Sequence, residues 1–373
     1  DEKDVILPDH GTLLPALGTA LSNTDQDECY KLSHLLEKID KSLGTSSHAS
    51  TDLKAIFENE TEYTAWKNRM AGNKIKKAEM KAGEQDVFIG IDSGSTTTKI
   101  VVIDTDSRLL YSYYNNNGGN AIKTVEEGLN ELYETCRKRG AILHIKGSCS
   151  TGYGEDLIKS AFQLHSGIIE TIAHYMAAQY LDKQVSFILD IGGQDMKAIF
   201  VNKGVIDRIG TRCTVFMNSK VKQELRDGAT VNDIAAGLAY SVVKNCLYKV
   251  LKLKDISTLG KNIVVQGGTM RNDAIVRALE ILTGAEVSRC DKPELMGAFG
   301  CALYAMQHQG VSIRLDEIIA KAQYTSRFLR CKGCDNQCLV TCYQFGNGKK
   351  YYSGNRCEKV FTNGENNGCK GEN

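Results

Sequence analysis

Proline is almost missing from this chain, with three among 373 residues, and the only tryptophan is Trp66. So little proline beside 35 glycines argues against a disordered, low-complexity chain. Net charge is nearly absent too, since 46 Lys and Arg against 45 Asp and Glu leave a formal +1. No global field draws the chain to nucleic acid or to an anionic membrane, and neither partner is expected. No apolar run approaches the ~18 residues that span a bilayer. Asp1–Asp9 is acidic and lacks the basic start and apolar core of a secretory signal, so the expected compartment is the cytoplasm. Cysteine is the excess, with thirteen residues. In a reducing compartment, clustered cysteines read as metal or redox ligands rather than as disulfides.

At roughly 150 residues per domain, the length suggests two or three domains. Residues 1–23 are apolar and punctuated by Gly and Pro. Residues 24–85 are polar and helix-forming, interrupted by the Ser- and Gly-rich stretch Gly44–Ser50, and read as a helical linker. From Asp86 to about Gln309, short β-branched runs alternate with helix-patterned stretches, which marks an α/β fold. That region divides into a first subdomain, 86–182, and a second, 183–309, ending in a return helix. Residues 310–373 form a Cys-, Gly- and Asn-rich tail. The expected fold is α/β.

Two internal repeats organise the reading. Phe88–Ile103 (FIGIDSGSTTTKIVVI) pairs with Phe187–Asn202 (FILDIGGQDMKAIFVN). Each is an apolar strand, then Asp-x-Gly-x-x-x-x-Lys, then a second apolar strand. Asp92 precedes Lys99 by seven residues, as Asp190 precedes Lys197, and Gly94 matches Gly192. This predicts a duplicated β-hairpin. The second repeat sets Leu295–Leu303 (LMGAFGCAL) against Leu13–Leu21 (LLPALGTAL). Any Ala/Gly/Leu helix resembles this pattern; the sharper expectation is that residues 1–23 are the last helix of a preceding copy of the module.

A hairpin turning through Asp-x-Gly-Ser-Thr offers backbone N–H groups, small hydroxyls and one carboxylate at a single point. Such concave amides bind phosphate oxygens, and glycine lets the ligand approach closely. Gly94, Ser95, Thr96, Thr97 and Lys99 supply donors in the first loop. Gly192, Gly193, Gln194 and Lys197 supply them in the second. Mg²⁺ keeps most of its waters and takes few carboxylates, so Asp92 and Asp190 facing each other suit a Mg–nucleotide. Neither the Walker nor the Rossmann glycine pattern is present. A third glycine element, Ile263–Asn272 (IVVQGGTMRN), reads as strand, turn and helix start, with Gly267, Gly268 and Asn272 expected under an adenosine.

Asp92–Lys99, Asp190–Lys197 and Gly267–Asn272 resemble the phosphate-1, phosphate-2 and adenosine motifs of the acetate and sugar kinase/Hsp70/actin superfamily. More narrowly, DIGGQDMK at Asp190–Lys197 and TRCTVFMNSKV at Thr211–Val221 resemble the ATP-dependent activators (component A) of 2-hydroxyacyl-CoA dehydratases. That family includes the ATPase subunits of benzoyl-CoA reductase. The resemblance runs from about Phe88 to Met306 and includes Thr151–Ile158 (TGYGEDLI). The tail from Arg330 to Lys359 resembles the large, tandem-module members.

The resemblance implies a duplicated ribonuclease H-like (actin-like ATPase) fold that closes on ATP and Mg²⁺, with a small Cys-rich β-hairpin tail. It implies a homodimer or tandem-module pseudo-dimer holding one [4Fe-4S] cluster with two Cys from each half. ATP hydrolysis would drive low-potential electrons from a ferredoxin- or flavodoxin-type donor into a 2-hydroxyacyl-CoA dehydratase or related reductase. Cys213 sits where the second cluster ligand of the family sits. The upstream segment that carries the first ligand has no counterpart here, because Val205–Ile209 runs straight into Gly210–Cys213. Either the segment is lost or the sequence skips it, and two copies of Cys213 supply only half of four thiolates.

The tail carries Cys331-x-x-Cys334-x-x-x-Cys338-x-x-x-Cys342, then Cys357 and Cys369. Thiolates three or four residues apart at a turn can converge on one metal, which replaces a core that a short segment lacks. Leu339–Phe345, Gly346–Gly348 and Lys349–Ser353 read as a hairpin that returns Cys357 towards the others. The expected ligands are Cys331, Cys334, Cys338 and Cys357, on zinc or an iron–sulfur cluster, with Cys342 pointing into a small core. Glu170 and His174, four apart on a predicted helix over Ile168–Leu181, form either a solvated pair or a metal pair. In the superfamily a carboxylate on this connecting helix polarises the attacking water, so Glu170 joins Asp92 and Asp190 as a catalytic candidate. Trp66 is expected to pack on a neighbouring module. The alternative function is a sugar or carboxylate kinase of the same fold with a structural zinc tail.

Overall fold

The computed structural model describes residues 11–22, 31–44, 53–193, 195–213, 230–357 and 359–363. The chain forms two compact units, Asp1–Lys54 and Ala55–Asn373. The first contains helices α1 (Leu14–Ser22) and α2 (Leu32–Gly44). α1 coincides with the Leu13–Leu21 repeat, and its echo in the second unit is helical as well.

The second unit opens with α3 (Glu60–Met70) and then builds two sheets of the same design. The first contains β1 (Gly83–Ser93), β2 (Thr97–Asp104), β3 (Leu109–Asn116), β4 (Ala141–Thr151) and β5 (Ser166–Gly167). α4 (Ala121–Arg139) and α5 (Glu155–Phe162) lie between its later strands. After α6 (Glu170–Leu181), the second contains β6 (Phe187–Ile191), β7 (Asp195–Asn202), β8 (Val205–Cys213), β9 (Ile263–Gln266) and β10 (Val287–Arg289). α7 (Val231–Lys244), with a π-helical continuation over Asn245–Val250, precedes β9, and α8 (Asp273–Thr283) follows it.

The strand orders correspond. β3-β2-β1-β4 has antiparallel steps up to β1 and a parallel step to β4; β8-β7-β6-β9 repeats them, with β10 parallel beyond β9. The central strands carry continuous apolar runs because helices cover both faces. Every residue from Val87 to Ser93 and from Phe187 to Ile191 is buried.

The return helix α9 (Met296–Gln307) packs on α6, β1 and β4, so it belongs spatially with the first subdomain. Glycine makes this approach possible. A Cβ on Gly300 would stand 1.8 Å from the Ala173 carbonyl oxygen, and one on Gly90 would stand 2.0 Å from that of Ala298. β11 (Ile313–Arg314) then pairs antiparallel with β4, and α10 (Leu315–Ala320) packs on α4.

Two boundaries differ from the sequence reading. Residues 55–82 are no linker, because α3 is built into the second subdomain. Trp66 is buried there and donates its indole N–H to Glu280 Oε2 at 2.8 Å. Glu280 also takes Arg69 at 2.5 Å, Arg277 at 3.1 Å and the Val287 N–H at 3.0 Å. A buried carboxylate is tolerated only with such a set of donors. Trp66 therefore packs on its own chain rather than on a neighbouring module. The tail also starts later than residue 310, because Ile313–Ala320 completes the first subdomain.

The tail is a three-stranded antiparallel sheet of β12 (Tyr324–Arg330), β13 (Leu339–Phe345) and β14 (Lys350–Ser353). Phe345, Tyr324, Tyr343 and Tyr351 join the first-subdomain core. The opposite face forms a small core of Cys331, Val340, Cys342 and Tyr352, with Cys338 and Phe361 against it. The hairpin and the inward Cys342 match expectation; β12 is additional. Among the described residues no helix is long and apolar enough to cross a membrane.

Candidate nucleotide site

The two glycine hairpins have the same register. Asp92 pairs across the strands with Lys99, and Asp190 with Lys197. In the first turn the Gly94 N–H donates to Thr97 O at 3.0 Å, and in the second the Gly192 N–H donates to Asp195 O at 3.0 Å. The tips face each other, since a Cβ on Gly193 would lie 3.9 Å from Thr96 Oγ1. Asn117 braces the first tip, its Nδ2 donating to Gly94 O at 2.8 Å and its N–H to Thr96 O at 2.8 Å. Gly267 closes the third side with φ +90, where a Cβ would stand 2.6 Å from Asp190 Oδ1.

Between these elements lies a cavity of about 430 Å³. Asp92, Thr97, Lys99, Glu170, Asp190, Gly192, Gly193, Gly267 and Gly268 line it, together with Tyr114, His174, Thr269, Arg271 and Glu294. Nine of the sequence-predicted residues thus share one cavity, whereas Gly94, Ser95 and Thr96 are not in its lining, and further positions depart from expectation or lie outside the described residues. Asn272 caps α8, its side chain accepting from the Ala274 N–H at 3.0 Å, and is absent from the cavity lining. Lys197 is turned towards Asp195, at 2.5 Å, and Glu170, at 3.0 Å. Gln194 and the side chain of Cys213 lie outside the described residues.

A buried ion-paired cluster forms the floor. Lys99 Nζ lies 3.1 Å from Asp92 Oδ2; burial would lower the Lys99 pKa, but Asp92 outweighs it and raises it. His174 Nε2 lies 3.5 Å from both Glu170 Oε1 and Asp190 Oδ2. Its Nδ1–H donates to Gln266 Oε1 at 2.5 Å, while Gln266 Nε2 donates to the His174 carbonyl at 3.0 Å. Burial opposes charge on His174, but the Asp190 and Glu170 carboxylates raise its pKa to about 9. Burial would raise Glu170, yet His174 and Lys197 hold it at about 2. Burial dominates at Asp190 and raises it.

Glu170, His174 and Asp190 are the one group of three metal-ligating side chains, among the described residues, whose ligand atoms all lie within 4.8 Å. The His174 imidazole and the Lys197 ammonium lie against these carboxylates, so the trio stands as an ion-paired cluster. Among the described residues the tail cysteines form no such group, although thiolates on one tetrahedral zinc would lie about 3.8 Å apart given ~2.3 Å bonds. They do show one feature of a metal-binding knuckle, the Gly333 N–H directed at Cys331 Sγ at 3.5 Å. Cys331 and Cys338 share the small core, while Cys334 and Cys357 are exposed.

Sequence reasoning missed Gln266 and Glu294. Gln266 ends a buried strand just before Gly267–Gly268, where a polar residue is itself a signal. Glu294 follows a lone Pro293 and carries no local pattern.

Duplicated sheets and facing glycine hairpins around one cleft define the ribonuclease H-like, actin-like ATPase fold. Component A of the Acidaminococcus fermentans (R)-2-hydroxyglutaryl-CoA dehydratase shares it, with a TM-score of 0.50 at 21% identity over 60% of this chain and 98% of that one. The chain matches the BadF/BadG/BcrA/BcrD ATPase family over residues 89–212 and 207–305, more than half its length, and belongs to that family. It is 28% identical over 261 residues to the 2-hydroxyisocaproyl-CoA dehydratase activator of Clostridioides difficile, covering 58% of this chain and 94% of the relative. Identity to the (R)-2-hydroxyglutaryl-CoA dehydratase activating ATPase of A. fermentans is 25% over 258 residues, covering 58% and 96%. The two matched family stretches meet at residues 207–212, inside β8.

The His174 cluster predicts a pH dependence. A pKa raised from 6.5 to about 9 makes a stabilising contribution that is complete below pH 6.5 and is lost as pH rises through 9. In urea titrations of nucleotide-free protein, stability should fall over that window, and the fall should be smaller in His174→Gln. Equal slopes for the two proteins would contradict the buried imidazolium.

Proposed function

We propose that this chain hydrolyses Mg-ATP in the cleft and uses it to activate a 2-hydroxyacyl-CoA dehydratase or a related reductase. One observation carries the reading: two hairpins of identical register, each with a buried Asp at its base, face each other across one cavity. The named relatives, which are dehydratase activators, support the partner class.

The residues suit Mg-ATP. Glycine tips present backbone amides for phosphate oxygens, and Lys99 adds a cation at the cavity wall. Asp92 and Asp190 would hold Mg²⁺ through its waters, and the ion would offset charge on the β- and γ-phosphates. Burial would raise the Glu170 carboxyl, but His174 and Lys197 keep it ionised. Glu170 is placed to orient the attacking water, while Asp92 and Asp190 are kept for the ion. His174 and Lys197 hold the Glu170 and Asp190 carboxylates in position.

Electron delivery is the finer part of the proposal, and the residues fit a cluster less well. β8 pairs with β7 from Asn202↔Val205 to Asp195↔Cys213, with one register shift between Phe200 and Val201 and no second thiol along it. An interfacial [4Fe-4S] cluster would take Cys213 from this chain and need further ligands from elsewhere, so no step is routed through it. Cys331, Cys334, Cys338 and Cys357 are proposed as a separate metal centre, zinc or iron–sulfur, in the tail.

Asp92→Asn should lower Mg-dependent phosphate release by about 10²-fold in protein still folded at the assay temperature, and should lower the melting temperature because Lys99 loses its partner. A rate within threefold of wild type would contradict the role of Asp92. Metal analysis of the full chain, purified without oxygen, should find about one zinc or about four iron attributable to the tail, reduced in Cys334→Ser and Cys357→Ser. If the substitutions leave metal content and protease resistance of the tail unchanged, these cysteines are not ligands.

A further inference from the structure

We propose that Glu294 recognises the sugar of the nucleotide by accepting a hydrogen bond from a ribose hydroxyl. This rests on the nucleotide reading and adds a specificity residue to it. Glu294 lies in the single 3₁₀ turn Pro293–Leu295 that leads into α9, and its side chain lines the cleft with 14% exposure. Its Oε1 is 3.9 Å from Nη1 of Arg271, a side chain 71% exposed. Its Oε2 is buried and has no hydrogen-bond partner. Only one other buried side-chain nitrogen or oxygen among the described residues shares that state, His144 Nε2, which lies on β4 away from the cavity lining.

A buried carboxylate oxygen without a donor is costly, and a ligand that brings a donor removes the cost. The triphosphate cannot do so, because its oxygens are acceptors and carry the same sign of charge. Waters on Mg²⁺ are donors that tripolyphosphate would share; on ATP itself the donors are the two ribose hydroxyls and the adenine amine, and position chooses between them. Pro293 O accepts the Gly267 N–H at 2.9 Å, which ties Glu294 to the loop behind Asp190. Three residues later, a Cβ on Gly297 would stand 2.8 Å from Asp92 Oδ2. Glu294 is thus held next to the phosphate end of the cleft. The first donors beyond the phosphates are the sugar hydroxyls, whereas the amine lies on the far edge of the base. The glycine hairpins cannot take this role, since their tips offer donors.

Calorimetry on the full chain with Mg²⁺ tests this, comparing ATP, 2′-deoxy-ATP, 3′-deoxy-ATP and inorganic tripolyphosphate. Wild type should bind ATP about 10- to 100-fold more tightly than at least one deoxynucleotide, the range for a hydrogen bond to a charged group. In Glu294→Leu that ratio should fall to within about threefold of unity, while tripolyphosphate binding does not weaken. Glu294→Gln keeps an acceptor oxygen and should retain part of the preference, which separates lost recognition from a disturbed fold. Equal affinity of wild type for ATP and both deoxynucleotides overturns the inference alone, as does an undiminished preference in Glu294→Leu. Failure of wild type to bind any nucleotide overturns the nucleotide reading, and this inference with it.

Discussion

Each glycine hairpin depends on a carboxylate and an ammonium held opposite each other on neighbouring strands. Asp92 and Asp190 follow the buried apolar runs Val87–Ile91 and Phe187–Leu189, where an unpaired charge would be strongly unfavourable. A lysine seven residues later, across a short turn, is the nearest cation that antiparallel pairing can deliver to that position. In the first hairpin the pair closes directly, at 3.1 Å. In the second, Lys197 turns to Asp195 and Glu170, and His174 takes its place beside Asp190. The repeat is therefore one of backbone register, and its side chains have diverged to make one hairpin simple and the other a network.

That network reaches beyond the hairpin. Gln266, at the end of β9, holds both the imidazole and the backbone carbonyl of His174, and the next residue is Gly267, packed under Asp190 where no Cβ fits. α6 carries Glu170 and His174, and α9 packs against it through Gly300. A change at the Gly267 loop has a direct route, through Gln266 and His174, to the Glu170 carboxylate. The tail sheet is fastened to the first subdomain by Tyr324, Tyr343, Phe345 and Tyr351, and the small cysteine core stands on its opposite face.

Much of this was legible in the sequence, because it was encoded locally. The seven-residue Asp–Lys offset became a cross-strand pair, and the Gly-Asn-Gly break in the tail became a hairpin turn. What was not legible depends on distance along the chain. His174 meets Gln266 across 92 residues, and Trp66 meets Glu280 across 214, so neither spacing carries a pattern. Trp66 looked like part of a polar linker because α3 hides one apolar stripe in a charged helix. Asn272 follows a glycine pair, which in the sequence points to the nucleotide, yet its side chain caps a helix. β12 escaped notice because, as an exposed edge strand, it has no alternation of apolar and polar residues.

The central claim is that one Mg-ATP is clasped by both hairpins and the Gly267 loop together. Hydrogen exchange with and without Mg-ATP measures this directly. The account predicts slower exchange at 92–99, 187–202 and 266–271 in the same complex, with the tail strands 324–353 unchanged. Slowing at one hairpin without the other, or none at any of the three, would contradict it.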